Sequence, residues 1–356
     1  MRRLFAIFLA FLAVPAAAQV DYAAQLKDGD FVIRDFAFES GERIPALNIH
    51  YATLGAPRRD ASGAIVNAVM ILHGTGGTGR QFLAPQFAQE LFGPGQPLDV
   101  SRYYIILPDG IGHGKSSRPS DGMRMRFPKY DYADMVEAQR RLLVDGLKVR
   151  KLRLLMGTSM GCMHGFVWGE AHPEMIQAMM PLACLPVEIA GLNRMWRQGA
   201  INGIKSDPAW ANGDYQAQPA QGLRTAASLL TVAGAAPLYL QKAYPTRDAA
   251  GAYMEERVTS YVKGADANDL IYQIDASRTY NPIAGLERIT MPVTWVNSAD
   301  DFINPYDLGI AEPAAKRLPK GRFVLIPASA DTRGHGTHTW AKFWKQELID
   351  LLARSE

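Results

Sequence analysis

Only two cysteines, Cys162 and Cys184, stand in the 356-residue chain. That is too few for the disulfide framework that holds small secreted domains together. A single bridge between them is conceivable, since both follow apolar strands, but two buried free thiols are the expectation. Net charge is scarce as well. With 38 Lys and Arg against 35 Asp and Glu the formal charge is +3, and no basic run is interleaved with aromatics. No nucleic acid or other polyanion is therefore expected as a partner. Beyond the N-terminus no segment is apolar enough to span a bilayer, which takes about 20 residues. Repeats and low-complexity tracts are missing too. His335 and His338 have no carboxylate or cysteine pair at ligand spacing beside them. The run Gly74-Thr75-Gly76-Gly77 lacks the Lys-Ser/Thr ending of a phosphate loop. Neither a metal nor a cofactor is expected.

What the chain does carry begins with a leader. Met1-Arg2-Arg3 is basic, Leu4 to Val14 is apolar, and Ala16-Ala17-Ala18 offers a small-residue cleavage site. Residues 1–18 read as a secretory signal peptide, with the mature chain starting near Gln19 and a periplasmic or secreted location.

Phe31 to Phe38 and Leu47 to Leu54 alternate apolar and polar residues around a turn at Ser40-Gly41-Glu42, the pattern of an antiparallel hairpin. Short apolar runs follow at Val69–Leu72, Tyr104–Leu107, Leu152–Met156 and Met179–Leu182, with helical periodicity between them at Phe82–Leu91 and Tyr132–Leu147. Strands alternating with helices predict an α/β fold: a mostly parallel central sheet with helices on both faces and antiparallel strands at one edge. Residues 187–280 show no strand pattern and read as a helical cap (lid). Strand periodicity returns at Val293–Val296 and Phe323–Ile326, and Trp340–Leu352 reads as a closing helix. The expected division is a leader at 1–18, a core of 19–186 with 281–356, and a cap at 187–280.

The chemistry centres on Gly157-Thr158-Ser159-Met160-Gly161, set between an apolar strand and a helix. In that context the pattern is a nucleophile elbow, with small residues two before and two after the serine because strand and helix nearly touch. A serine nucleophile needs a base and the base an orienting acid. Of the seven histidines, His335 lies in a glycine-flanked loop after the last predicted strand and is the favoured base. His338 is the alternative, with a supporting role. Asp301, four residues before Pro305, is favoured as the acid over Asp300, whose expected part is a loop-closing hydrogen bond. Backbone N–H groups of Thr75 and Met160 are the expected oxyanion donors. His73 and His113 read as structural.

These residues resemble an α/β-hydrolase, and within that superfamily the homoserine O-acetyltransferase-like branch. The resemblance spans about Ile65 to His335. Its more specific pieces are Gly93-Pro94-Gly95-Gln96-Pro97-Leu98-Asp99, Asp134-Met135-Val136-Glu137-Ala138-Gln139, Gly157 to Met163, Arg197-Gln198-Gly199-Ala200-Ile201, Asp207-Pro208-Ala209-Trp210, Asp266-Ala267-Asn268 and Asn281-Pro282-Ile283. It implies the triad Ser159, Asp301 and His335, the helical cap, and Arg197 reaching toward a substrate carboxylate; Gly74 and Trp196 are further expected substrate contacts. A homodimer through the caps is implied as well. The departures are specific. Met254-Glu255-Glu256-Arg257 follow the cap tyrosine Tyr253 where acetyltransferases carry Gln-Gly. Arg278 stands near an expected aspartate, and Cys162 replaces a second glycine after the elbow. A secreted enzyme meets water rather than acetyl-CoA. Hydrolysis of an ester, lactone or thioester is thus expected ahead of O-acyl transfer, and a binding protein on a dead scaffold comes last. Trp196, Trp210, Tyr215, Tyr239 and Tyr244 suggest an aromatic entry, with Arg194, Arg197 and Arg224 as candidate anion contacts.

Overall fold

The computed structural model describes residues 20–356, so the leader expected over 1–18 lies outside the described residues. The hairpin is longer than its apolar pattern suggests. β1 (Lys27–Ala37) and β2 (Arg43–Leu54) pair antiparallel from Lys27↔Thr53 to Ala37↔Arg43. Gly41 turns the chain between them with φ +84, and its N–H donates to Phe38 O at 2.8 Å. The other strands are β3 (Ala68–Leu72), β4 (Tyr104–Pro108), β5 (Leu154–Thr158), β6 (Met179–Leu182), β7 (Val293–Ser298) and β8 (Gly321–Ile326). They form one 8-stranded sheet in the order β1-β2-β4-β3-β5-β6-β7-β8. β2 meets β4 antiparallel, and every pair from β4 to β8 is parallel. This is an α/β-hydrolase sheet.

β3, β4, β5, β6 and β7 are buried at every position, because helices cover both faces. Side chains alternate along each strand, so successive residues feed different cores. Val69 and Ile71 of β3 pack with Phe87 and Leu91 of α1 (Pro85–Leu91) and with Leu348 and Leu351 of α10 (Lys345–Ala353). Met70 and Leu72 belong to the apolar cluster on the other side, which runs from Met135 of α2 (Tyr132–Arg141) and Phe166 of α3 (Met160–Ala171) as far as Ala311 of α9 (Ala311–Ala315), beside β8.

Between β6 and β7 the chain is helical: α4 (Gly191–Ser206), α5 (Ala220–Ala233), α6 (Pro237–Ala243), α7 (Arg247–Val262) and α8 (Ala267–Asp275). This segment has its own apolar cluster, with Ile204, Leu223, Leu270 and Ile274 fully or almost fully buried.

Three predicted helices differ in detail. The stretch Phe82–Leu91 is broken at Ala84, because Pro85 cannot continue a helix but suits the first position of α1; a short 3-10 turn, Gly79–Leu83, precedes it. α2, capped by Asp131 accepting from Ala133 N and Asp134 N, widens after Arg141 into a π-turn over Leu142–Gly146. The last helix starts at Lys345 rather than Trp340, after a separate turn at Ala341–Phe343.

The expectation of free thiols is wrong. Cys162 and Cys184 form a disulfide, with Cα atoms 5.8 Å apart. β5 and β6 are adjacent parallel strands, so the first turn of α3 and the segment leaving β6 emerge side by side. Strand adjacency, which composition does not reveal, brings the pair within bridging reach. A bridge across 22 residues of sequence is worth about 3 kcal/mol by restricting the unfolded chain. Reduction of the purified protein is therefore expected to lower its unfolding temperature, measured by differential scanning fluorimetry with and without a dithiol. An unchanged unfolding temperature, with both thiols shown free, would contradict this.

Candidate active site

Ser159 sits between the end of β5 and the start of α3, with φ +55 and ψ −112. A non-glycine residue there is strained by roughly 1–3 kcal/mol. The surroundings enforce it. Ser159 N–H donates to Leu182 O at 2.8 Å, tying the turn to β6. The flanking glycines leave no room for a side chain. A Cβ on Gly157 would lie 2.0 Å from Gly161 O, and one on Gly161 would lie 2.1 Å from Leu72 O.

The histidine loop and the acid loop converge on this serine. Ser159 Oγ and His335 Nε2 are 2.8 Å apart, and His335 Nδ1 faces Asp301 Oδ2 at 2.8 Å. Nδ1–H donates to the carboxylate, which leaves Nε2 to accept from the hydroxyl. The His335 side chain is 12% exposed and that of Asp301 1%. Burial alone would raise the Asp301 carboxyl, yet the facing imidazole and the Asn304 donors hold it below the ordinary carboxylate range. Asp301 Oδ1 also accepts from Ile303 N at 2.9 Å and Asn304 N at 3.2 Å, and Asn304 Nδ2 donates to Oδ2 at 3.0 Å.

Asp300 takes a different part. Its Oδ2 accepts from Thr332 Oγ1 at 2.7 Å and from Gly334 N at 3.1 Å, and its Oδ1 from Ser298 Oγ. One aspartate orients the imidazole ring while its neighbour fastens the backbone carrying it. The His338 ring lies 5.2 Å from that of His335, centre to centre. Burial pushes His338 down to about 3, so it is neutral and contributes packing.

The loop after β3 lies against the serine: a Cβ on Gly74 would be 3.3 Å from Ser159 Cβ. His73 fixes this loop. Its Nδ1–H donates to Gly74 O at 2.8 Å, and its Nε2 accepts from Gly110 N at 2.9 Å. Complete burial holds the ring below its ordinary pKa, which keeps that neutral tautomer. Gly77 N–H also donates to Gly74 O, at 3.0 Å. In a trans peptide the C=O and the next N–H point in opposite directions. With Gly74 O held by two donors, the Thr75 N–H is turned the other way. It makes no hydrogen bond among the described residues, and Met160 N–H, at the first position of α3, has no helical acceptor. His113 donates through Nδ1 to Ile111 O at 2.9 Å and is structural.

Arg197 is buried on α4 at 2% exposure. It donates to Asn193 Oδ1 at 2.8 Å, Ser277 Oγ at 3.2 Å and Ile274 O at 3.3 Å, and its guanidinium lies 4.6 Å from the Trp196 ring centre. Among the described residues no carboxylate pairs with it. Tyr132 Oη lies among Arg197, Ser277 and Thr75 without a well-formed hydrogen bond. The Thr75 hydroxyl and Trp196 Nε1 are likewise buried and have no partner among the described residues. Tyr132 and Ser277 were not anticipated; only the N-terminal position of Tyr132 on α2, before the Asp134–Gln139 motif, hints at it. Arg224 is instead paired with Glu255 and Arg194 with Gln198. Trp210 and Tyr215 bond to Asn268 and Asp266, so both serve cap packing. Tyr239 lines a cavity of about 490 Å³ between the cap and the histidine loop, with Arg257, Arg333 and Gly336 also on its wall. Arg278 donates to Tyr130 O at 2.8 Å and to Lys129 O at 2.5 Å, which holds the loop before α2.

A family model described as the alpha/beta hydrolase fold matches residues 67–332. A probable acyltransferase of Methanothermobacter thermautotrophicus is 29% identical over 311 residues, covering 85% of this chain and 92% of that protein. A homoserine O-acetyltransferase of Thermobifida fusca is 26% identical, covering 83% of this chain and 86% of that one. Among solved structures, an acetylester hydrolase from Corynebacterium glutamicum superposes with a TM-score of 0.79 at 20% identity, over 92% of this chain and 96% of that one. At that identity the likeness concerns the fold.

If His73 presents the Thr75 N–H, replacing it should slow attack at Ser159 without moving the serine. His73→Ala is expected to cut the rate at which a fluorophosphonate labels Ser159 by about 10²-fold, the usual cost of one lost oxyanion donor. Labelling at the wild-type rate by a folded variant would refute that role.

Proposed function

The chain belongs to the alpha/beta hydrolase family, in its homoserine O-acetyltransferase-like branch, and from that premise we propose that it is a secreted or periplasmic serine hydrolase cleaving a carboxylic ester, a lactone or a thioester. The observation that carries this reading is the unbroken chain from Ser159 Oγ through His335 to Asp301, with 2.8 Å at each step, beside two backbone N–H groups that have no partner among the described residues. As Ser159 Oγ attacks the carbonyl carbon, its proton passes to His335 Nε2, and Asp301 stabilises the imidazolium. Thr75 and Met160 N–H groups hold the oxyanion. The leaving alcohol or thiol takes the proton from Nε2. Water, deprotonated by the same nitrogen, then attacks the acyl-enzyme and releases the acid.

Arg197 and Trp196, with Gly74 beside the nucleophile, are proposed to contact the substrate. A buried guanidinium without a carboxylate is costly, and an acid group on the substrate would complete it. The cavity beside Arg333 is the proposed route in. Water is favoured as acceptor because the leader pattern and the Cys162–Cys184 bridge both suit an oxidising compartment, where acetyl-CoA is absent. The cap departures from the acetyltransferases, at Met254 onward and at Arg278, point the same way. The second reading, O-acyl transfer on the same triad, is favoured by the relatives named as acyltransferases. A homodimer through the caps remains part of the proposal.

Two measurements test this. Ser159→Ala is expected to abolish turnover of a chromogenic ester panel of varied acyl length and charge, whereas full retained activity would sink the hydrolase reading. With homoserine or another alcohol as competing acceptor, free acid should outrun new ester in the wild type. The reverse product ratio would establish transfer instead.

A further inference from the structure

The disulfide and a buried asparagine connect the nucleophile's helix to the acid. Cys162 lies in the first turn of α3, three positions after Ser159. Its partner Cys184 follows Ala183, which adopts a left-handed backbone with φ +64 just beyond β6. Ala183 O accepts from Asn304 Nδ2 at 3.1 Å, and the same Nδ2 reaches Asp301 Oδ2 at 3.0 Å. Asn304 is 5% exposed, so no solvent substitutes for its donors. On its other flank the Cys184 backbone is clamped to β7. Its N–H donates to Asn297 Oδ1 at 3.2 Å, and its carbonyl accepts from Asn297 Nδ2 and Trp295 Nε1, each at 3.1 Å. The path from Ser159 through α3, the bridge, Ala183, Asn304, Asp301 and His335 returns to Ser159 as a closed ring.

We propose that Asn304 and the Cys162–Cys184 bridge act together as positioning groups that set Asp301, and through it His335, against Ser159, which makes turnover sensitive to the state of the disulfide. The inference rests on the hydrolase reading of this site. Hydrogen bonds tie the carbonyl that holds Asn304 to β7, but only the bridge ties that segment covalently to α3. Reducing it, with a dithiol supplying two electrons and two protons and leaving as its own cyclic disulfide, replaces a bond by a contact between two buried thiols. In a close-packed interior the two backbone segments must then part. Asn304 also shares Asp301 Oδ2 with the imidazole. Removing that donor leaves the carboxylate more fully to His335 and favours the imidazolium.

The test compares the wild type as disulfide and as dithiol, which differ by that bond alone, with Asn304→Ala in both states. Thiol content is checked after denaturation, and kcat, KM and pH profiles are measured on a chromogenic ester. Asn304→Ala is expected to lower kcat about 10- to 100-fold, the scale of a small misplacement of catalytic groups, with KM nearly unchanged. The acidic limb of kcat/KM should move to higher pH. The dithiol wild type should also lose kcat rather than KM. Because both changes act through one connection, reduction should cost Asn304→Ala much less than it costs the wild type. Equal kcat for dithiol and disulfide forms, effects that simply add, or an unmoved acidic limb in Asn304→Ala would each overturn the proposal. If the disulfide wild type neither turns over the ester nor takes up a fluorophosphonate, the hydrolase reading itself fails and this inference falls with it.

Discussion

The contact between β5 and α3 governs the arrangement. Strand and helix approach until Gly157 meets the backbone of Gly161, and Gly161 meets Leu72 O of β3. No other residue fits either place, and Ser159 is left with a backbone that only a rigid surround can hold. Everything the site needs is then measured from that point. Leu182 O fixes the serine from β6, the loop after β3 lies across it, and the loops after β7 and β8 bring Asp301 and His335. All of these leave the carboxyl ends of parallel strands, where such sheets gather their ligands.

Much of this was legible from the chain because each feature has a short-range cause. The elbow shows as two glycines around a serine between an apolar run and a helix. The choice of Asp301 over Asp300 came from its spacing to Pro305, and the structure places Asp301 on the imidazole and Asp300 on the backbone of its loop. The eight strands lie where the pattern put them, within a few residues: β1 and β2 by alternation, and β3 to β7 because fully buried strands read as unbroken apolar runs.

What was not legible depends on contacts between distant parts. The disulfide needed the adjacency of β5 and β6. Tyr132 and Ser277 join Arg197 only because α2, α4 and the turn after α8 meet over the loop after β3. One helix was broken where Pro85 competed with the apolar pattern, and the closing helix begins at Lys345 after a separate turn at Ala341–Phe343. Asn304 was the most recoverable of the missed residues. It sits inside the Asp301–Pro305 motif, where an asparagine before proline suits a tight turn.

Gly334, one residue before the base, has φ +56 and bears directly on the backbone between α5 and α6: a Cβ there would fall 2.5 Å from Ala235 O. Nothing but main chain separates the cap from the histidine loop at this point. The same glycine's N–H is held by Asp300 from the tip of β7. Any side chain at Gly334 would therefore have to push the histidine loop and the Ala235 backbone apart. The helical segment and the histidine loop thus meet backbone to backbone, and that loop is fastened in turn to the end of β7.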